Sequence, residues 1–402
     1  ATTPEKCAHC GLCDWQDHCQ QAWCAADHLN QVANIRAGAI RKLQAAGIHT
    51  LAKLAAQDQP VPGIGNFATL HHQAQLQLRR LETGADQIAF KTPDPQAQRG
   101  FYALPEPSAG DLYFDMEGYP HQQGGLEYLF GLSYREGEEL RFQPFWGHNR
   151  AEEKQAFADC VDFMVARIHR YPDLHIYHYA DYERRAFEKL MQLHGTREAE
   201  VDQFFRDQRL VDLYAVVRNA ILTSEPRSSI KNLETFYMKG ERSADVKNAG
   251  ASIIYYERWR QDHDLRWLEQ IERYNEEDCV STAKLHAWLL GLRVEAERQF
   301  AVTMPWKTTQ AAAVAAPRAP SDQALALANR KQAVRDRLSR QIAALTATAP
   351  RTPVQSEAEL VLYLLDFYWR EAKPVFWKMF SQRDMSLEQL YDDLDALAGL
   401  TA

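Results

Sequence analysis

The sequence predicts an α/β domain of roughly 180 residues, set between a cysteine-rich helical N-terminal region and a helical C-terminal extension. Three observations carry that expectation. Short aromatic-rich runs separated by turns fill residues 111–146, helical and extended stretches alternate after them, and five of the seven cysteines fall in the first 24 residues. Apolar residues make up 46% of the 402 and aromatics 11%, enough to build a core, which excludes wholesale disorder. Fifty-four acidic against 46 basic side chains leave a net charge of −8, which excludes a protein that coats nucleic acid by bulk charge. Local basic patches and acids that hold metal ions remain compatible with it.

In chain order, residues 1–25 carry Cys7, Cys10, Cys13, Cys19 and Cys24. Dense short spacings favour a metal or cluster site over a secreted disulfide scaffold. Thiolates suit zinc and iron–sulfur alike, spacing does not separate the two, and His9 and His18 are further candidate ligands. Residues 26–83 read as short helices. Ala46-Gly47-Ile48 and Val61-Pro62-Gly63-Ile64-Gly65 each precede an apolar helical run. Gly63 and Gly65 would let backbone N–H groups approach a phosphate at a helix N-terminus, the logic of a helix-hairpin-helix, with plain helix-connecting turns as the alternative. Residues 84–108, with Pro93, Pro95, Pro105 and Pro107, read as a linker.

Residues 109–293 form the predicted α/β domain. Asp111–Asp115, Glu127–Tyr134 and Leu140–Trp146 suit an antiparallel meander. A helix near 151–170 and a strand at Leu174–Tyr179 follow, and the rest is mostly helical. Residues 294–322 read as a linker and 323–402 as a helical region, with helices near 323–346, 356–380 and 386–398. Its many basic residues suit either a nucleic-acid face or solvated helix. No run of eighteen apolar residues occurs and the opening ATTPEKCAHC is no signal peptide, so a soluble cytoplasmic protein is expected.

The chemistry concentrates in acids. Asp115 and Glu117 stand two apart in Tyr-Phe-Asp-Met-Glu-Gly, so an extended chain points both carboxylates to one face. Such a pair repels itself unless a cation neutralises it. Tyr274 and Asp278 stand four apart in a helical stretch and share one face. Between them, Ile-Tyr-His-Tyr runs into Ala180-Asp181-Tyr182-Glu183 and places acids at a strand-to-helix junction.

That order, D-x-E, then H-x-A-x-aromatic-acid, then Y-x-x-x-D, resembles the motifs of the DnaQ-like DEDD exonuclease superfamily on a ribonuclease H-like fold, a mixed sheet with flanking helices. More narrowly, residues 109–293 resemble the YprB-type ribonuclease H-like domain of RecB-family nucleases. The phrases that carry the likeness are Tyr-Phe-Asp-Met-Glu-Gly, Glu-Tyr-Leu-Phe-Gly-Leu, His-Ile-Tyr-His-Tyr-Ala, Leu-Val-Asp-Leu-Tyr, Ser-Ile-Lys-Asn-Leu-Glu and Tyr-Asn-Glu-Glu-Asp-Cys. Asp115 and Glu117 match the first motif, and Tyr274 and Asp278 the third, in its tyrosine form. In the second, Glu183 stands where the superfamily usually has aspartate and Tyr179 where it has asparagine, with Asp181 the competing acid. Cys10, Cys13 and Cys19 resemble the downstream iron–sulfur cysteines of RecB-type nucleases, which would leave Cys7 or Cys24 as the fourth ligand. The preceding nuclease core and following helicase of such relatives have no counterpart in these residues.

The resemblance implies a metal-dependent 3′–5′ exonuclease working with two magnesium or manganese ions. Asp115, Glu117, Glu183 and Asp278 would be ligands and Tyr274 would orient water. It implies nucleic acid as partner, DNA ahead of RNA, and a helicase or nuclease system around the chain, with DNA repair as the setting. The alternative is a ribonuclease H-like module with degraded chemistry that binds nucleic acid for a partner. A zinc-ribbon interaction protein would explain residues 1–25 and leave the acids without purpose.

Overall fold

The computed structural model describes residues 4, 7, 10, 13–240, 249–308, 322–343, 352–365, 367–385, 390 and 396–397. They divide into two compact units, one of residues 1–184 and 204–309 and one of residues 185–203 and 310–402. The first unit opens with α1 (Gln16–Ala25), α2 (Ala37–Ala45), α3 (Leu51–Ala55) and α4 (Phe67–Thr83). Thr50 caps α3 by accepting from Lys53 N at 3.1 Å, and Gly84, with φ +69°, ends α4. Leu29, Leu43, Leu51, Leu54 and Leu70 form a small core of their own. Two buried glutamines then tie α4 to the rest of the unit. Gln73 Nε2 donates to Thr223 O at 2.7 Å, and Gln77 Oε1 accepts from Ala33 N at 3.0 Å. One turn further, Arg80 pairs with Glu225 and Asp86.

Seven strands follow among the described residues: β1 (Ile88–Phe90), β2 (Leu112–Tyr119), β3 (Leu126–Glu136), β4 (Glu139–Trp146), β5 (Ile176–His178), β6 (Leu210–Asp212) and β7 (Ile221–Thr223). The main sheet runs β4-β3-β2-β5-β6. Its β4-β3-β2 part is the antiparallel meander expected from the aromatic runs, and β5 and β6 add in parallel. The helices that follow the strands of this unit are α5 (Arg150–Arg170), α8 (Leu213–Ala220), α9 (Ile230–Tyr237), α10 (Ala249–Asp262) and α11 (Arg266–Phe300), while α6 (Tyr182–His194) begins in it and α7 (Glu198–Arg206) ends in it. Asn149 caps α5 by accepting from Ala151 N and Glu152 N. Phe130 of β3 meets Phe157 of α5, while α11 packs on β2 and β3. This is the mixed sheet with flanking helices that the sequence predicts.

Two boundaries differ from the expectation. The segment 84–108 is not a free linker: β1 pairs antiparallel with β7, Ile88 opposite Thr223, and Phe101 and Tyr102 are buried. Between its prolines it holds only a short 3-10 turn, Gly100–Ala103, and its apolar residues find a partner strand more than 130 residues away. The expected linker at 294 also begins later, because α11 runs on to Phe300 with Ala296 buried and stops where Ala301 adopts φ +52°. Residues 309–321 and most of the expected helix at 386–398 lie outside the described residues.

The second unit contains most of α6 and α7 together with α12 (Asp322–Ala343), α13 (Pro353–Leu364) and α14 (Phe367–Asp384). Thr352 and Gln355 form a reciprocal capping box at the start of α13, and Trp377 Nε1 donates to Asp202 Oδ1 at 3.2 Å. No helix among the described residues is long and apolar enough to cross a membrane.

Candidate active site

Strand alternation sets the first two acids. Along β2, Phe114 and Met116 are buried on one side, while Tyr113, Asp115 and Glu117 take the side on which α11 lies. The ladder shifts register between Glu117 and Gly118, directly after the second acid. Helix α11 brings Tyr274, Asn275 and Asp278 down onto this strand. Ligand oxygens of Asp115, Glu117 and Asp278 all lie within 4.8 Å of one another. Glu117 is 5% exposed and Asp278 9%.

The close approach of α11 depends on a missing side chain. Gly131 of β3 sits opposite Asp115, and a β-carbon there would overlap the Asn275 carboxamide oxygen. The Gly131 backbone carbonyl accepts a hydrogen bond from Cys279 Sγ at 3.3 Å. Asn275 Nδ2 donates to Asp115 Oδ2 at 2.7 Å, and Ser252 Oγ, from α10, donates to Glu117 Oε2 at 2.6 Å. Lys231 Nζ donates to the Tyr274 hydroxyl, which is bonded in turn to Asp278. Gly131, Asn275, Ser252 and Lys231 carry no signal that periodicity or spacing alone would reveal. Three of them do sit inside the family-like phrases: Gly131 in Glu-Tyr-Leu-Phe-Gly-Leu, Lys231 in Ser-Ile-Lys-Asn-Leu-Glu and Asn275 in Tyr-Asn-Glu-Glu-Asp-Cys.

Glu183 stands apart from the three. It is buried in the first turn of α6, with the His178 ring 3.5 Å from an Oε2 that no hydrogen-bond donor meets. His178 Nδ1 itself bonds to Ala180 O at 2.7 Å. Glu183 is near enough to act on the charge of Asp115. Asp181 is only half-buried, in the loop ahead of α6.

Burial, and then the neighbouring charges of Asp278, Glu117 and Glu183, push Asp115 well above the usual carboxylate range. Glu117 is raised to about 8, by burial first and by Asp278, against the Ser252 bond and Lys231, which draw it down. Burial and the adjoining acids raise Tyr274 too, so its phenol stays protonated and acts as a donor. Crowded, desolvated carboxylates with an orphaned buried oxygen beside them fit a divalent cation, and an all-oxygen set suits magnesium or manganese.

The sign of the pH dependence follows. A Glu117 carboxyl that keeps its proton in the native state but ionises in the unfolded chain makes the metal-free protein lose stability as pH rises toward about 8. The buried His175 and His286, lowered chiefly by burial to about 4 and about 3, act in the opposite direction, but below about pH 6.5. Between about pH 6.5 and pH 8.5 without divalent ions, the melting temperature is therefore expected to fall. Manganese should raise it, and by more at the higher pH, because binding then displaces fewer protons. A thermal melt indifferent to manganese at both pH values would rule out the acids as a cation site.

The other expected site residues are distributed as follows. Cys7 Sγ and Cys10 Sγ stand 3.9 Å apart, Cys13 follows them, and Cys19 and Cys24 lie on α1. No three of these sulfurs meet within 4.8 Å among the described residues, and His9 lies outside them. Gly63 has φ +79°, and its carbonyl accepts from Lys42 Nζ at 2.6 Å, so the turn itself requires a glycine. At Gly65, by contrast, a β-carbon would meet nothing within 4 Å. The backbone ahead of α4 is thus open to an approaching group there.

Residues 112–290 match the family model RNase_H_2, of the RNase H superfamily. No curated protein and no solved structure matches the chain. The matched stretch starts with β2 and ends inside α11, and so contains the whole main sheet and all the acids above. These residues form a ribonuclease H-like domain, a fold that implies nucleic-acid binding, and its acidic cluster fits a nuclease.

Proposed function

We propose that the chain is a metal-dependent 3′–5′ exonuclease of the tyrosine-type DEDD class. The observation that carries this reading is the convergence of Asp115, Glu117 and Asp278 within 4.8 Å, with the Tyr274 hydroxyl bonded to the last of them. Asp115, Glu117 and Asp278 would hold one divalent ion and Asp115 with Glu183 a second. When bound, such a pair activates water and offsets charge on the leaving 3′ oxygen. Asn275 fixes the rotamer of Asp115 and Ser252 that of Glu117. Tyr274, held as a protonated phenol, orients the attacking water and does not deprotonate it.

The test is digestion of end-labelled single- and double-stranded DNA and RNA with manganese. Stepwise release of mononucleotides from the 3′ end is expected, and an inactive protein on every substrate overturns the reading. Glu183→Gln should cost at least tenfold if Glu183 serves as a ligand, and Asp181→Asn should stay within about threefold of wild type. The reverse ranking would give the second-motif role to Asp181. A binding module with degraded chemistry is favoured by one observation, the separation of Glu183 from the other three acids and its placement against His178.

We also propose a metal or iron–sulfur site at Cys7, Cys10, Cys13, Cys19 and Cys24. Two thiolates on one tetrahedral zinc at about 2.3 Å stand about 3.8 Å apart, close to the Cys7–Cys10 separation of 3.9 Å. Iron, zinc and acid-labile sulfide content decides this, and a folded, metal-free protein removes the site. Phosphate contacts at Gly63 and Gly65, DNA as the substrate, and a helicase or RecB-type partner complete the proposal.

A further inference from the structure

Lys231 occupies a place that local structure does not favour. It lies in the first turn of α9, after the Ser229 cap, where the helix dipole disfavours a cation. Its ammonium nonetheless reaches into the acidic cluster. It donates to the Tyr274 hydroxyl, lies 4.3 Å from the centre of that ring, and draws Glu117 down. Around it, α9 is braced from three sides. The Tyr179 hydroxyl donates to Ser228 O just ahead of the cap, Asn232 Nδ2 donates to Glu225 Oε2 at 2.7 Å, and Ser281 Oγ of α11 donates to Glu234 Oε1 at 2.7 Å. Tyr179 is thus occupied in fixing the start of α9, at the position where the resemblance leads one to expect asparagine.

Charge counting says what such a lysine can do. Asp115, Glu117, Glu183 and Asp278 carry four negative charges when ionised, and two divalent ions cancel them. A phosphodiester entering that neutral site brings one uncompensated negative charge, and one ammonium balances it. An ammonium has three donors and no acceptor, so it can hold a phenol oxygen and a phosphate oxygen together. We propose that Lys231 is a phosphate seat: its ammonium, held by Tyr274, donates to a non-bridging oxygen of the substrate's terminal phosphate. This rests on the nuclease reading above and names the group by which that site recognises its substrate.

The experiment titrates thymidine 5′-monophosphate, with manganese present, into the full chain and into Lys231→Met and Lys231→Arg, with thymidine as the phosphate-free control. Manganese binding is followed separately by electron paramagnetic resonance. Lys231→Met should bind the monophosphate about ten- to a hundredfold more weakly, the size of one lost charge-assisted hydrogen bond, while still filling its manganese sites at saturating manganese. Lys231→Arg should recover most of that loss, and thymidine affinity should not change. The inference is overturned if the monophosphate binds Lys231→Met as it binds wild type. Loss of manganese together with the monophosphate, or a wild type that binds no monophosphate, overturns it equally. Digestion by wild type with lysine-independent monophosphate binding leaves the nuclease reading standing and removes this one. Lysine-dependent binding without digestion of any substrate does the opposite.

Discussion

Asp115→Asn is expected to lower manganese-dependent hydrolysis by three orders of magnitude or more while leaving the protein folded. An amide of the same shape carries no charge to hold either ion, and ion stabilisation of the transition state is worth several kcal/mol at ~1.4 kcal/mol per factor of ten. The fold should survive because the buried residues of β2, Phe114 and Met116, face the other side of the sheet. Stability should in fact rise without metal. Burial and the charges of Asp278, Glu117 and Glu183 already strain the Asp115 carboxylate, and an uncharged side chain relieves all of them. The combination to look for is an inactive variant that melts no lower than wild type. Tyr274→Phe should cost only about tenfold to a few hundredfold, since ion binding survives and only water orientation suffers. Equal hydrolysis by Asp115→Asn and wild type would remove the acids from the mechanism.

Gly131→Ala is expected to lower stability and turnover together through a single added methyl group. The new β-carbon would overlap the Asn275 oxygen and stand 2.9 Å from the Phe142 ring. Overpacking of this kind costs about 1–3 kcal/mol, and more where nothing can yield. Little can yield here, since Asn275 is held by Asp115 and the next turn of α11 is held by Cys279 on the Gly131 carbonyl. The helix must lift off the sheet and carry Tyr274 and Asp278 away from Asp115. A displacement near 1 Å is enough to lose about a hundredfold in rate. Melting and turnover should therefore fall together. Adding Asn275→Ala should restore part of the stability, a coupling readable as a double-mutant cycle. A Gly131→Ala protein that melts and digests like wild type would dismiss the close approach as unimportant.

The difference between these two positions is the difference between what a sequence displays and what it conceals. Asp115, Glu117, Tyr274 and Asp278 were legible because the two-residue period of a strand and the near-four-residue period of a helix place each pair on one face. Both rules are local. Gly131 and Asn275 act by a contact across 144 residues, and Ser252 reaches Glu117 across 135. No local period encodes such meetings. The segment 84–108 misled for the same reason, since proline chemistry is local and the β1–β7 pairing is not. The end of α11 misled differently: its charged last turns read as a change of character, but the helix continues because Ala296 still packs against the core.

The two glutamines on α4 bear on how this chain could be divided. With Gln73 bonded to the Thr223 carbonyl, Gln77 to Ala33, and Arg80 to the buried Glu225, the early helices are fastened to the edge from which α9 departs. Cutting the chain at its proline-rich stretch would strip β7 of its partner strand. It would also leave Glu225, the residue that holds Asn232 one position beyond Lys231, without its arginine. The prolines therefore advertise a seam that the hydrogen bonds have closed. A gene fragment beginning at residue 109 would inherit the acids but not the scaffolding behind them, so the early helices and the acid-bearing sheet are expected to be inherited, to melt and to be lost as a single piece.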